Sequence, residues 1–309
     1  LTWLEISLTV DGEMAEAVSE VLSRFAPHGV VIESTQIQVN AYDQGYPSGP
    51  LRVSAYLPLD DQIEDKRRGL EQALWHLGFI RPLPEPQYRT VEEADWAEAW
   101  KKHFHPIEIG NHLLVVPPWI DPIDDSKVVV RIDPGMAFGT GTHPSTQLCL
   151  SMISEWFINQ QSAIPHADMT MIDVGCGSGI LAIAALKLGF TRALGVDLDP
   201  QALLAARTNA EMNAVTESLE LQVGSLSEIL LGRFSLTSAP LVAANILAPV
   251  LVRMLADGLG KTLTPGGCLI LAGILDEQAV EVITAARGQG LRLVNENHMG
   301  DWIALSFTN

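Results

Sequence analysis

The pattern of apolar and polar positions divides the chain into two parts. Over Thr2–Val10 the run L-E-I-S-L-T-V alternates, which is the period of a half-buried strand. Asp11-Gly12 breaks it, and Met14, Ala17, Val18, Val21, Leu22 and Phe25 then recur at helical spacing. Extended runs follow at Val30–Val39 and Leu51–Leu57, separated by a loop rich in Gly, Pro and Tyr at Asn40–Pro50. A second helix is expected over Ile63–Leu77, ended by Gly78, and a last strand near Gln87–Thr90. The order β-α-β-β-α-β predicts a small α+β (ferredoxin-like) sandwich. Pro82, Pro84 and Pro86 mark a boundary, because proline disrupts both helix and central strand. In Val91–Phe104 acidic residues come early and Lys101-Lys102 late, and Trp96, Trp100 and Phe104 fall four apart. That stretch reads as a linker helix.

From about Ile107 the pattern changes. Two extended runs, Asn111–Val116 and Lys127–Ile132, precede a glycine-rich loop and a helix at Gln147–Trp156. Strands and helices then alternate: strands at Thr170–Val174, Arg192–Val196, Leu219–Gln222, Leu241–Asn245 and Gly267–Leu271, helices at Gly179–Lys187, Pro200–Asn213, Val250–Leu259 and Glu277–Gln289. This predicts an α/β fold with a doubly wound, mostly parallel sheet. The closing pair, Leu291–Asn297 and Trp302–Phe307, reads as a hairpin that adds one antiparallel strand. The expected organisation is an α+β domain over 1–90, a linker helix over 91–106 and an α/β domain over 107–309. A length of 309 residues agrees with two domains.

The chemistry concentrates in a few turns. In M-I-D-V-G-C-G-S-G-I-L-A-I-A (Met171–Ala184), a buried strand runs into Gly175, Gly177 and Gly179 and a helix starts at once. Glycines there permit a tight turn and a close approach of ligand to main chain. A dinucleotide site would place its third glycine at residue 180, which is Ile180. The spacing G-x-G-x-G, with Asp173 two residues ahead, is instead the pattern of S-adenosylmethionine enzymes. Asp197, in G-V-D-L-D-P at the end of the next strand, is placed to accept hydrogen bonds from ribose hydroxyls. Asp199 is expected to cap the helix that starts at Pro200. Ser225 ends the following strand, where adenine lies in such folds. Asn245 closes an apolar strand, facing the methyl-transfer site or else capping the helix ahead. A second glycine loop, D-P-G-M-A-F-G-T-G-T-H-P-S-T (Asp133–Thr146), offers Phe138 as an apolar cover and Gly141 and Thr146 for backbone and hydroxyl contacts. It lacks the G-K-[ST] of a phosphate loop.

Composition narrows the partners. Hydrophobic residues make up 47% and charged residues 18%, enough for a large core. The formal charge of −18 disfavours a phosphate-neutralising surface and suits a basic protein. Cys149, Cys176 and Cys268 are too few and too scattered for a disulfide framework or a zinc site, which fits a reducing cytoplasm. Neither a signal peptide nor a membrane span is expected, since the most apolar stretch, Pro240–Leu255, is interrupted by Asn245, Pro249 and Arg253.

With those motifs in view, the chain resembles the PrmA family of methyltransferases, which act on large-subunit ribosomal protein eleven. The glycine loop, I-D-V-G-C-G-S-G-I-L-A-I-A-A-L-K-L-G, G-V-D-L-D-P-Q-A, A-N-I-L-A and D-W-A-E-A-W-K-K-H-F-H-P carry the resemblance. It implies a methyltransferase fold with S-adenosylmethionine contacts at Thr146, Gly175, Asp197 and Asn245. It also implies a small N-terminal domain that binds the ribosomal protein, and methylation of lysine side-chain and N-terminal amines. The rivals are a nicotinamide dehydrogenase, a methyltransferase of RNA or a small molecule, and a non-catalytic scaffold. Ile180 and the Asn245 strand end count against the first, and the charge against RNA.

Overall fold

The computed structural model describes residues 2–26, 30–39, 45–79, 81–92, 105–121, 126–134, 141–160 and 164–309. It contains two compact units, Leu1–Phe104 and His105–Asn309.

The first unit runs β1 (Thr2–Val10), α1 (Gly12–Ser23), β2 (Val30–Val39), β3 (Gly45–Pro58), α2 (Ile63–Leu77) and β4 (Gln87–Glu92). The sheet order is β2-β3-β1-β4, antiparallel throughout, as in a split β-α-β layout. Alternation puts Ile6, Leu8 and Val10 beside Val53, Ala55 and Leu57, in one core with Val18, Leu22, Leu70 and Leu74 of the helices. Asp11, which ends β1, caps α1 by accepting the Met14 N–H at 3.0 Å. The other parity of β1 carries buried Glu5, whose carboxylate accepts from Arg52 Nη2 at 3.2 Å and Arg89 Nε at 2.8 Å.

Two expectations change here. The loop expected over Asn40–Pro50 does not extend over Gly45–Pro50, which belongs to β3; residues 40–44 lie outside the described residues. Beyond the Val10–Leu51 pairing β3 has left β1, and there it pairs with β2 alone. Pro47 and Pro50, which lack an N–H, are tolerated on such a one-sided strand. The linker helix expected from residue 91 does not begin there. Val91 and Glu92 are the last residues of β4 and pair with Trp3 and Thr2. Val91 is buried, so its apolar side chain serves the sheet. His105 and Pro106 are not helical either. The rest of that expectation, residues 93–104 with Trp96, Trp100 and Phe104, lies outside the described residues.

The second unit opens with a three-stranded sheet of β5 (Ile107–Ile109), β6 (Leu113–Val116) and β7 (Val128–Arg131). Then come α3 (Pro144–Gln160), β8 (Thr170–Val174), α4 (Ile180–Leu188), β9 (Arg192–Asp197), α5 (Pro200–Met212) and β10 (Leu219–Val223). The chain continues through α6 (Leu226–Leu230), β11 (Ala239–Asn245), α7 (Ala248–Ala256), β12 (Leu263–Leu275), α8 (Ala279–Gly288), β13 (Arg292–Met299) and β14 (Trp302–Thr308). The large sheet has the order β10-β9-β8-β11-β12-β14-β13. Only β14 runs against its neighbours, as the hairpin reading required. Met171, Ala243 and Ile270 share one core with Ile153 and Ile183. Ile172, Val242 and Leu269 share the other with Leu251 and Val282. Burial on both faces is why these strands read as nearly unbroken apolar runs. Among the described residues no helix is long and apolar enough to cross a membrane.

Candidate active site

The chain leaves β8 toward β9 and β10 on one side and returns to β11 and β12 on the other. Open α/β sheets bind ligands at such a reversal, outside the carboxyl ends of the strands. Three strand ends converge there: the turn after β8, Asp197 at the end of β9 and Asn245 at the end of β11.

The turn after β8 requires its glycines. Gly175, Gly177 and Gly179 have φ of 74°, 52° and 77°, the left-handed region that side chains disfavour. A Cβ on Gly175 would stand 2.7 Å from Ile246 Cγ2, and one on Gly179 3.1 Å from Ala206 Cβ. The Gly175 and Cys176 N–H groups both donate to Val196 O, at 2.8 and 3.0 Å, which ties the turn to the adjacent strand. Gly177 N–H donates to Asp197 Oδ2 at 2.9 Å, so the turn also aims that carboxylate.

Asp197 Oδ1 accepts the Asp199 N–H at 2.9 Å. Each carboxylate oxygen keeps a second lone pair for hydroxyl donors. Asp199 caps α5 through the Gln201 N–H at 2.9 Å, as expected. Ser225 caps α6 in a reciprocal box with Glu228. Its hydroxyl donates to Glu228 Oε2 at 2.8 Å, and these serine hydrogen bonds hold the Glu228 carboxyl down at about 2.

Asn245 and the second glycine loop meet directly. Asn245 Nδ2 donates to Thr146 Oγ1 at 3.1 Å, and Thr146 is fully buried. Asn245 does not cap the next helix, whose cap position is Leu247 without a side-chain bond. The amide oxygen of Asn245 accepts nothing from the described residues. Gly141, at φ 89°, brings the end of the loop close to Val115 and Ile180. Pro144 starts α3, and His143 Nδ1 accepts the Ser145 N–H at 3.2 Å at that start. Phe138 and the rest of 135–140 lie outside the described residues.

Several contributors left no motif to read. Ile246 follows Asn245 and donates its N–H to Ala272 O at 3.1 Å. Gly273, at φ 81° in a bulge of β12, lies so close that a Cβ there would stand 2.5 Å from Ile246 O. Ile246 is therefore held between two left-handed glycines, which fixes where Asn245 leaves the sheet. Asn209 of α5 and Asn213 at its C-cap are both buried; Asn209 binds backbone of Asp133 and Ser178, whereas Asn213 binds backbone of Arg131 in β7. Two amides at i and i+4 among alanines were the available signal.

Asp173 lies under this turn, fully buried. Its Oδ2 accepts the Ala182 N–H at 3.3 Å, and its Oδ1 has no partner among the described residues. Burial pushes its carboxyl up to about 7. The Ala182 N–H opposes that rise, and the charge of Asp197 adds to it. Burial likewise raises the thiols of Cys149, Cys176 and Cys268. Among the described residues no group of His, Cys, Asp and Glu is placed to hold a metal ion.

An unfolded aspartate loses its proton near pH 4, whereas Asp173 in the folded chain keeps it up to about 7. The folded state thus binds the extra proton between those limits, and stability falls as pH rises through them. Asp173→Asn removes that loss, with an upper bound of about 4 kcal/mol from linkage. The Tm of the variant relative to the parent is expected to climb between pH 5 and pH 8. A difference that ignores pH contradicts this.

Comparison with known proteins agrees with the geometry. The family model "Ribosomal protein L11 methyltransferase (PrmA)" matches residues 2–309. A ribosomal protein L11 methyltransferase of Chloroflexus aurantiacus is 39% identical over 98% of this chain and 97% of its own. That of Geobacter metallireducens is 38% identical over 99% and 98%. The crystal structure of a ribosomal protein L11 methylase from Lactobacillus delbrueckii subsp. bulgaricus superposes with a TM-score of 0.56 at 32% identity. It covers 67% of this chain and 99% of that one. Full-length matches of this kind, on a sheet of this order, place the chain in the PrmA family, the ribosomal protein L11 methyltransferases.

Proposed function

We propose that this member of the PrmA family methylates amines of ribosomal protein L11, on lysine side chains and at the N-terminus, with S-adenosylmethionine as methyl donor. The observation that carries the reading is the Asn245–Thr146 hydrogen bond, which joins the second glycine loop to the strand tip beside the glycine turn. The residues fit the donor. Left-handed glycines leave the backbone bare of side chains, and Asp197 has acceptor capacity for ribose hydroxyls. The buried, unpartnered Asp173 Oδ1 puts a carboxyl beneath a cationic ligand.

The donor supplies a methyl already activated by its sulfonium, so the chain's task is positioning and deprotonation. The amine must arrive in line and neutral. A free lysine has a pKa of about 10.4, so neutrality at pH 7 costs roughly 4.6 kcal/mol. Desolvation at the strand tips and a nearby positive charge both lower that cost. Asn245, tied through Nδ2 to Thr146, keeps its Oδ1 to accept a hydrogen bond from the amine and orient its lone pair. The net charge of −18 favours encounter with a basic ribosomal protein in the cytoplasm over sequence-specific nucleic-acid binding. The N-terminal unit supplies the protein-recognition surface.

Purified ribosomal protein L11 incubated with the enzyme and S-adenosylmethionine is expected to gain mass in steps of one methyl on amines. An unchanged mass spectrum contradicts the reading. Asp197→Ala removes a charged acceptor worth roughly 1.5–3 kcal/mol per hydrogen bond. It is expected to weaken donor affinity on the order of tenfold to a hundredfold by calorimetry. Asn245→Ala is expected to lower kcat with the donor still bound. Full turnover in that variant removes Asn245 from the amine.

A further inference from the structure

We propose that Asn209 is a positioning residue for the donor: its side-chain amide ties the glycine turn after β8 to Asp133 and fixes the turn's peptide planes where they border the crevice. The inference rests on the assignment of that crevice to S-adenosylmethionine.

Asn209 is fully buried in the middle of α5, on a face otherwise made of Leu203, Ala205, Ala206 and Ala210. An apolar residue would pack on that face without the cost of burying an amide. Both polar atoms of the amide are used, and both reach glycine-rich backbone. Oδ1 accepts the N–H of Asp133, the first residue of D-P-G-M-A-F-G-T-G-T-H-P-S-T, at 3.0 Å. Nδ2 donates to the carbonyl of Ser178, inside G-C-G-S-G, at 2.9 Å. One side chain therefore bonds both the Gly175–Gly179 turn and Asp133, two residues beyond the end of β7.

The bond to Ser178 acts on the turn itself. Ser178 C=O and Gly179 N–H belong to one peptide plane, and Gly179 N–H donates to Cys176 O at 2.8 Å. The plane is held from both edges, by Asn209 and by Cys176. Two planes back, the Cys176–Gly177 peptide is fixed through Gly177 N–H on Asp197 Oδ2. Close approach of α5 makes this possible: Ala206, one turn earlier, sits where a Cβ on Gly179 would meet it at 3.1 Å.

Asn213 gives a matched control on the same helix. It accepts the Arg131 N–H at 2.8 Å and donates to Arg131 O at 2.6 Å and to Asn209 O at 2.8 Å. It anchors β7 and has no bond to the glycine turn. The two amides thus do comparable work for the fold, but only Asn209 bonds the glycine turn.

The test measures S-adenosylmethionine and S-adenosylhomocysteine affinity by calorimetry on the full chain, with thermal melts of the same samples. Asn209→Ala is expected to weaken both ligands at least tenfold. KM for the donor should rise while kcat at saturating donor stays within about twofold of the parent. Asn213→Ala is expected to lower Tm comparably and leave affinity within about twofold. Asn209→Ser, which keeps one neutral polar group and can bond only one of the two partners, should fall between parent and alanine variant. It carries the test if the alanine variant does not fold. Unchanged affinity in the Asn209 variants, or equal losses in Asn209→Ala and Asn213→Ala, overturns the proposal. A parent chain that binds neither ligand overturns the crevice assignment first, and the proposal with it.

Discussion

The turn between β8 and α4 is the constraint on which the rest of the second unit depends. Its backbone is left-handed at three alternate positions, a path that residues with a Cβ follow only under strain. That path lets the N–H groups of Gly175 and Cys176 reach Val196 and that of Gly177 reach Asp197. The tie to β9, the helix start and the carboxylate direction thereby come from one short segment. The sheet reverses its order at this point, so the same segment also borders the crevice.

The neighbouring elements are shaped to fit that turn. Ile246 is confined between Gly175 and Gly273, α5 approaches Gly179 through an alanine, and Asn209 bonds the Ser178 carbonyl. The alanine is small and the asparagine satisfied, at places where a larger or unpaired group would push the turn out of line. Asp173 is the exception in this tight environment. A buried carboxyl with an oxygen that has no partner among the described residues is costly in the isolated chain and suits a site that receives a cation.

Legibility in the sequence followed physical rule by rule. Strands buried on both faces announced themselves as apolar runs, and the termini of β8 match the pattern residue for residue. Asp199 and Pro200 gave the start of α5 because capping is local. The glycine turn was readable because glycine at fixed spacing has few other causes. What escaped was non-local. Val91 has the pattern of a helix start, yet its place opposite Trp3 is decided by a strand eighty-eight residues away. Gly45–Pro50 looked like a loop because its pairing with only one neighbour, which excuses its prolines, cannot be seen along the chain. Gly273 and Ile246 meet only after β11 and β12 align, and the roles of Asn209 and Asn213 depend on which backbone faces α5. The Asn245–Thr146 bond joins residues ninety-nine positions apart, and only their separate motifs hinted at it.

The central claim is that an adenosyl sulfonium lies across the tips of β8, β9 and β11. A crystal structure of the chain with S-adenosylhomocysteine tests it most directly. The account predicts a ribose within hydrogen-bond distance of both Asp197 oxygens and a homocysteine tail between the glycine turn and Thr146. A ligand bound elsewhere, or a crevice closed by side chains with the nucleoside in excess, would contradict it.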